Sequence, residues 1–169
     1  MSKVVLITGG SSGIGKSIGE FLHQKGFIVY GTSRNPEKVL NSIFPLVALD
    51  VRDVESIHLA VAQIIQTTGR LDVVINNAGV GITGPLEEIP MEEIKNNFDT
   101  NFFGPIAVMK AVLPQMRQQK SGLIVNITSI AGYMGLPYRS VYSASKGALE
   151  LITEALRMEV KSFGIQITN

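Results

Sequence analysis

Apolar residues fall along this chain in two alternating rhythms. Short, nearly unbroken apolar runs recur at residues 4–8, 27–32, 46–49, 71–75, 123–128 and 165–168. Runs of this kind predict strands buried on both faces of a parallel sheet. Between them lie stretches with helical spacing. The first sets Ile14, Ile18, Phe21, Leu22 and Lys25 on one stripe, with Gly26 as its C-cap. The second opens on Asp53 as N-cap and turns Val54, Ile57, Val61, Ile64 and Ile65 inward. A third has Pro90 in its first turn and Glu92 and Glu93 at its positive end. Two long helices follow, one over residues 98–119 and one running to about residue 163. Strand and helix alternating with right-handed crossovers predict a doubly wound parallel sheet in a three-layer α/β/α domain. No linker or repeat interrupts it, so residues 1–169 read as a single domain.

Both late helices are apolar nearly all round: Phe102, Phe103, Ile106, Val108, Met109, Val112 and Leu113 in one, Leu149, Leu151, Ile152, Leu156 and Met158 in the other. A helix lying on a sheet needs one apolar stripe. The excess predicts subunit packing, or further burial within a longer parent chain.

Composition narrows the class. A net charge of +1 and 17% charged residues give no footing for nucleic acid or an anionic membrane. Without cysteine there are no disulfides or thiolate metal sites. His23 and His58 fall in different predicted helices without a third ligand, so no metal is expected. No signal peptide fits before the first strand, and no apolar run is long enough to span a bilayer. A cytoplasmic enzyme or binding domain is the expectation.

The candidate chemistry begins at the first strand-to-helix turn, Thr8-Gly9-Gly10-Ser11-Ser12-Gly13-Ile14-Gly15. Glycines there allow a tight turn and let backbone N–H groups approach a pyrophosphate at the helix N-terminus. The spacing is not the standard dinucleotide fingerprint, whose third glycine would fall at Ile18. After the second strand comes Gly31-Thr32-Ser33-Arg34, with one guanidinium and no carboxylate. An acid here holds the ribose 2′-hydroxyl of NAD, whereas an arginine suits the 2′-phosphate of NADP, so NADP (NADPH) is expected over NAD. Farther on, Tyr142 and Lys146 stand four apart on one helix face. A free phenol titrates near pH ~10, and an adjacent cation favours its anion, which makes the pair a plausible acid/base. Ser129 lies thirteen residues upstream.

Together these residues resemble the classical short-chain dehydrogenase/reductase family. Thr8-Gly9-x-x-x-Gly13-x-Gly15 is similar to its T-G-x-x-x-G-x-G turn; the extended branch would need glycine at Ser12. Asn76-Asn77-Ala78-Gly79 matches its N-N-A-G, and Asp50 followed by Val51 matches its adenine-contacting acid. Asn101, Ser129, Tyr142 and Lys146 match its catalytic tetrad. The resemblance implies a Rossmann-like fold and cofactor contacts from Gly9, Ser11, Ser12, Gly13, Ile14, Gly15, Arg34, Asp50, Val51, Asn77, Ala78, Gly79, Tyr142 and Lys146. It implies hydride exchange with a small-molecule carbonyl or alcohol. Ser129 would bond the carbonyl oxygen, Tyr142 protonate it, Lys146 hold the nicotinamide ribose, and Asn101 position a water. It further implies a homodimer or homotetramer built through helices 98–119 and 141–163. Family members continue past a sixth strand to a Pro-Gly turn, a substrate-covering loop and a final strand, so the resemblance implies a chain truncated at its C-terminus.

Two other readings compete with this one. A serine hydrolase on Ser129 lacks the G-x-S-x-G elbow and a suitably placed histidine. A non-catalytic NAD(P)-binding or sensor module is the serious alternative, because related folds host such roles. Substrate identity is open; its lining would come from residues 81–86, residues 133–139 and the C-terminal loop the family carries, with Tyr133, Met134, Leu136 and Tyr138 hinting at an apolar or aromatic pocket.

Overall fold

A computed structural model describes residues 2–169. Six parallel strands form one sheet: β1 (Val4–Ile7), β2 (Ile28–Ser33), β3 (Leu46–Ala48), β4 (Val73–Asn76), β5 (Gly122–Asn126) and β6 (Ile165–Thr168). Their spatial order is β3-β2-β1-β4-β5-β6. The order reverses between β1 and β4, where Val5 pairs with Val73 and Ile7 with Ile75. Open α/β sheets bind ligands beyond the carboxyl ends of strands at such a switch point.

Five α-helices cover the sheet: α1 (Gly13–Gln24), α2 (Val54–Thr68), α3 (Met91–Phe98), α4 (Gly104–Gln119) and α5 (Ser140–Val160). Leu6 and Val4 of β1 face a core shared with Ile57 and Ile64 of α2, Val108 and Met116 of α4 and Val160 of α5. Val5 and Ile7 face the other side, where Ile18 and Leu22 of α1 and the Phe44 ring pack. β1 and β4 are buried at every position, which explains their unalternating apolar sequence.

The predicted strands and helices all form, with several differences in detail. On α1, Ile14 and Phe21 are exposed rather than inward. The helix approaches the sheet through Gly15 and Gly19, its buried residues, with the Phe44 ring in the space a Gly19 side chain would need. That glycine ridge rotates Ile14 toward solvent at the mouth of the turn and Phe21 outward beneath Lys25. Asp53 caps α2 as expected, accepting from the Glu55 N–H at 3.0 Å, but Val54 is exposed. Pro90 is the N-cap of α3 rather than part of its first turn.

The stretch 98–119 is not one α-helix. Asp99–Phe103 is a π-helical turn between α3 and α4. The Gly104 N–H reaches back to the Asp99 carbonyl, and Pro105 has no N–H to return to the Asn101 carbonyl. On α4, Met109 is only 1% exposed, so it belongs to the core and not to an outward face. The excess of apolar residues there is internal packing against the sheet and α2. On α5 the exposed apolar residues are Leu151 and Met158.

Candidate active site

A cleft of about 730 Å³ opens at the switch point. Its walls include Gly9, Ser11, Ser12, Gly13 and Ile14 from the first turn, Thr32–Asn35 after β2, Leu49–Arg52 after β3, and Asn77–Ile82 after β4. That volume lies in the range of small-molecule and cofactor sites. Gly13 has a positive φ of 52°, and a Cβ on Gly15 would collide with the Asn77 side chain and the Gly9 carbonyl. The turn therefore brings backbone, not side chains, to the start of α1, where N–H groups and the helix dipole favour an anion.

Thr8 ties this turn to the loop after β4. Its buried hydroxyl accepts from the Asn77 and Ala78 N–H groups, both at 3.0 Å. The Asn77 amide in turn donates to the Thr8 carbonyl at 2.9 Å. The two loops that line the cleft floor are thus one hydrogen-bonded unit.

At the far end of the cleft, Arg34 is exposed and engaged in none of the ion pairs among the described residues. Asp50 is held by Arg52, whose Nη2 lies 3.0 Å from Oδ2 and whose N–H lies 2.9 Å from Oδ1. The hydrogen-bonded Arg52 guanidinium holds the Asp50 carboxyl below its usual range against the opposing effect of partial burial, and Arg34 contributes.

Asn101 sits in the π-turn, fully buried. Its Oδ1 accepts from the Val80 N–H at 2.8 Å, and its Nδ2 faces the Val80 carbonyl at 2.9 Å and Asn97 Oδ1 and Ser145 Oγ at 3.2 Å. Ser145 passes the link to the Tyr142 carbonyl at 2.8 Å. The wider π-turn swings this amide toward the cleft loop. Lys146 is buried and donates to the Ile127 carbonyl at 2.8 Å. Burial holds its ammonium below the usual lysine value. Both groups stand against Gly79: a Cβ there would lie 3.2 Å from Asn101 Oδ1 and 3.6 Å from Lys146 Nζ.

Ser129 accepts from the Ala131 N–H at 3.2 Å, capping a 3₁₀ turn at Ile130–Gly132. Gly132 of that turn lies against the Lys146–Gly147 backbone of α5. A second cavity opens here, lined by Asn126–Ile130, Tyr133, Met134 and Asn169. Tyr133 donates to the buried Glu150 at 3.3 Å, and that carboxylate pushes the Tyr133 phenol up.

Eleven of the fourteen expected cofactor residues line the cleft; Gly15 lies behind it as packing, while Lys146 touches its wall at Gly79 and Tyr142 stands on α5 beside Arg139. His23 and His58 are exposed, and no cluster of metal-binding side chains occurs among the described residues. Several site residues escaped the sequence reading. Asn97 is 2% exposed and donates to the Val80 carbonyl at 3.1 Å; its signal was its position four residues before Asn101. Asn126 and Thr153 were also missed: with Asn76 of the N-N-A-G motif they form a buried chain of 2.8 Å hydrogen bonds that docks α5 on the sheet.

Residues 3–169 match the family model described as short chain dehydrogenase. The chain belongs to the short-chain dehydrogenase family. It is 50% identical over 165 residues to a 3-ketodihydrosphingosine reductase of Bacteroides thetaiotaomicron, covering 98% of this chain and 61% of the relative. It is 41% identical to the oxidoreductase BOA17 of Botryotinia fuckeliana, covering 99% of this chain and 64% of that one. This short-chain dehydrogenase thus spans about three-fifths of the length of those relatives. Among solved structures it superposes on a short-chain dehydrogenase from Streptomyces avermitilis with a TM-score of 0.94 at 40% identity, covering 99% of this chain and 64% of that one. ElxO with NADP bound gives 0.93 at 34% identity, covering 98% and 71%. No helix among the described residues is long and apolar enough to cross a membrane.

Proposed function

We propose that this short-chain dehydrogenase is an NADP(H)-dependent oxidoreductase that exchanges a hydride with a carbonyl or secondary alcohol. What carries the reading is Gly79, where the wall of the nucleotide cleft meets both the Asn101 amide and the Lys146 ammonium. The cleft fits a dinucleotide: a side-chain-free turn at a helix N-terminus for the pyrophosphate, and Arg34 with Thr32 and Ser33 where a 2′-phosphate is read. Arg34 and the absent acid support NADP over NAD.

When bound, NADPH supplies a hydride to the carbonyl carbon. Ser129 donates a hydrogen bond to the carbonyl oxygen, and Tyr142 gives that oxygen a proton as negative charge develops. Lys146, one turn along α5 and buried, holds its ammonium against the cleft wall at Gly79, where the nicotinamide ribose would lie. Asn101 positions a water that links Lys146 to solvent.

For substrate class we look to the second cavity and the 50% identical relative. Ile130, Tyr133 and Met134 expose apolar surface beside Ser129, which suits a ketone with an extended apolar portion, of the 3-ketodihydrosphingosine kind. The exposed Leu151 and Met158 of α5 and Phe103 ahead of α4 support self-association through these helices into a dimer or tetramer. A cytoplasmic setting is consistent with this chemistry.

The test is consumption of NADPH by the full-length protein with 3-ketodihydrosphingosine, followed by absorbance and compared with NADH. Turnover faster with NADPH is expected. Cofactor binding by fluorescence without turnover of that ketone or of simple long-chain ketones would replace the enzyme with a binding module.

A further inference from the structure

Arg139 has no part in the scheme above, yet it is built into the site from three directions. Its guanidinium lies over the Tyr142 ring, 4.8 Å from the centroid. Its Nε is buried and has no hydrogen-bond partner. Its Nη2 reaches the cleft loop, 3.3 Å from where a Cβ on Gly81 would stand, so a side chain there would crowd it.

The backbone around Arg139 is held equally firmly. Tyr138 has a φ of 62°, the left-handed region that a bulky residue enters at a cost and keeps only when its surroundings enforce it. The Tyr138 carbonyl accepts from the Gly84 N–H at 2.9 Å, and the Arg139 N–H donates to the Leu136 carbonyl at 3.0 Å. The Arg139 carbonyl accepts from the Ser143 N–H at 2.8 Å in the first turn of α5. No carboxylate answers the charge: the ion pairs among the described residues are Lys16–Glu20, Arg52–Asp50 and Arg70–Asp72.

We propose that Arg139 is a positioning residue for the reaction, holding the Tyr142 ring against the Gly81 loop and keeping a permanent positive charge over the phenol that transfers the proton. This rests on the oxidoreductase reading of Tyr142. A cation over an aromatic face is attracted by the ring quadrupole, more strongly where water is excluded. Arginine does this as a flat plate that stays charged. When the proton passes from the Tyr142 oxygen to the substrate oxygen, while the hydride passes from NADPH to carbon, the ring becomes an anion. The attraction therefore grows along the reaction, and only interactions stronger in the transition state raise kcat. Arg139 is not among the cleft walls and reaches them only through the Gly81 loop.

The experiment compares wild type, Arg139→Gln, Arg139→Leu and Arg139→Lys in the full-length protein with NADPH and 3-ketodihydrosphingosine. Kinetics are measured alongside NADPH affinity and thermal unfolding. Removing the charge should lower kcat ~3–30-fold, the rate equivalent of a lost cation–π contact, with KM and NADPH affinity changed less than about twofold. Arg139→Lys, which keeps the charge without the plate, should recover part of kcat, and it serves alone if the neutral variants do not fold. Neutral variants as active as wild type overturn the inference alone. So does a loss confined to KM, or an Arg139→Lys as slow as the neutral variants. A wild type that consumes no NADPH overturns the oxidoreductase reading and this inference with it.

Discussion

Replacing Asn101 with alanine tests whether the π-turn and the cleft loop are one mechanical unit. The Asn101 amide has one accepting and three donating contacts, but Nδ2 carries only two hydrogens, so at most three bonds operate at once. Truncation removes the part-buried bond to the Val80 N–H, and because Val80 is 47% exposed on the cleft, water can replace part of it. An orphaned buried donor costs about 1–3 kcal/mol, and each lost ordinary bond about 0.5–1.5 kcal/mol. The Val80 carbonyl keeps its bond from Asn97, and Ser145 keeps its bond to the Tyr142 carbonyl, which limits the damage. The expected loss is therefore about 1–3 kcal/mol, a sizeable fraction of the 5–15 kcal/mol that holds a domain of ordinary stability. Urea unfolding of wild type, Asn101→Ala, Asn97→Ala and the double variant measures it. The midpoint should fall with little change in slope, and the cycle should give a coupling of about 0.5–3 kcal/mol between the two asparagines. A loss below about 0.5 kcal/mol, or additive single effects, would refute the network as drawn. NADPH affinity should weaken as well, because Val80 lines the cleft.

Four further outcomes are expected. Tyr142→Phe should lower turnover about 10²–10⁴-fold while NADPH still binds, as read by kinetics and fluorescence titration. Arg34→Leu should weaken NADPH by about 1–3 kcal/mol and leave NADH nearly unchanged, the difference being the bonds to a phosphate. At the opposite end of the sheet, Asp72 accepts from the Val4 N–H at 2.8 Å and pairs with Arg70. Burial alone would raise the Asp72 carboxyl, but the bonds from Arg70 and Val4 outweigh it and hold it below its usual value. A depressed acid stabilises above its unfolded value of ~3.9 and loses that contribution as pH falls through the folded value. Asp72→Ala should therefore cost about 1–3 kcal/mol at neutral pH, with the gap from wild type closing below about pH 4 in denaturation curves. Met158→Glu on the exposed face of α5 should abolish the proposed self-association in light scattering without unfolding the chain, whereas the buried Met109→Glu should unfold the protein.

How much of this was legible beforehand follows from the range of each interaction. The parallel sheet, its element order and the first turn were readable because they rest on local periods and fixed spacings. A strand buried on both faces needs an unbroken apolar run, and a turn that presents its backbone needs residues like Gly13 and Gly15. The residue types of the candidate site were readable for the same reason, since Tyr142 and Lys146 share one helix.

Only the tertiary structure decided what those residues touch. Hydropathy put Ile14 and Phe21 on the inward stripe because it ignores close approach: the Gly15–Gly19 ridge rotates α1. It gave Met109 no side at all, and α4 settles deep enough to bury it. The π-turn was hidden because its cause lies partly outside the helix, in the Val80 backbone that draws Asn101 inward. Asn97, Ser145 and the Asn76–Asn126–Thr153 chain acquire meaning from partners as far as 50 residues away. Arg139 falls in sequence at the end of the stretch expected to line the substrate; its place over Tyr142 exists only because a left-handed Tyr138 and a side-chain-free Gly81 meet there. Local spacing determines which chemistry the chain can hold, while long-range packing determines which groups are buried, paired and aimed.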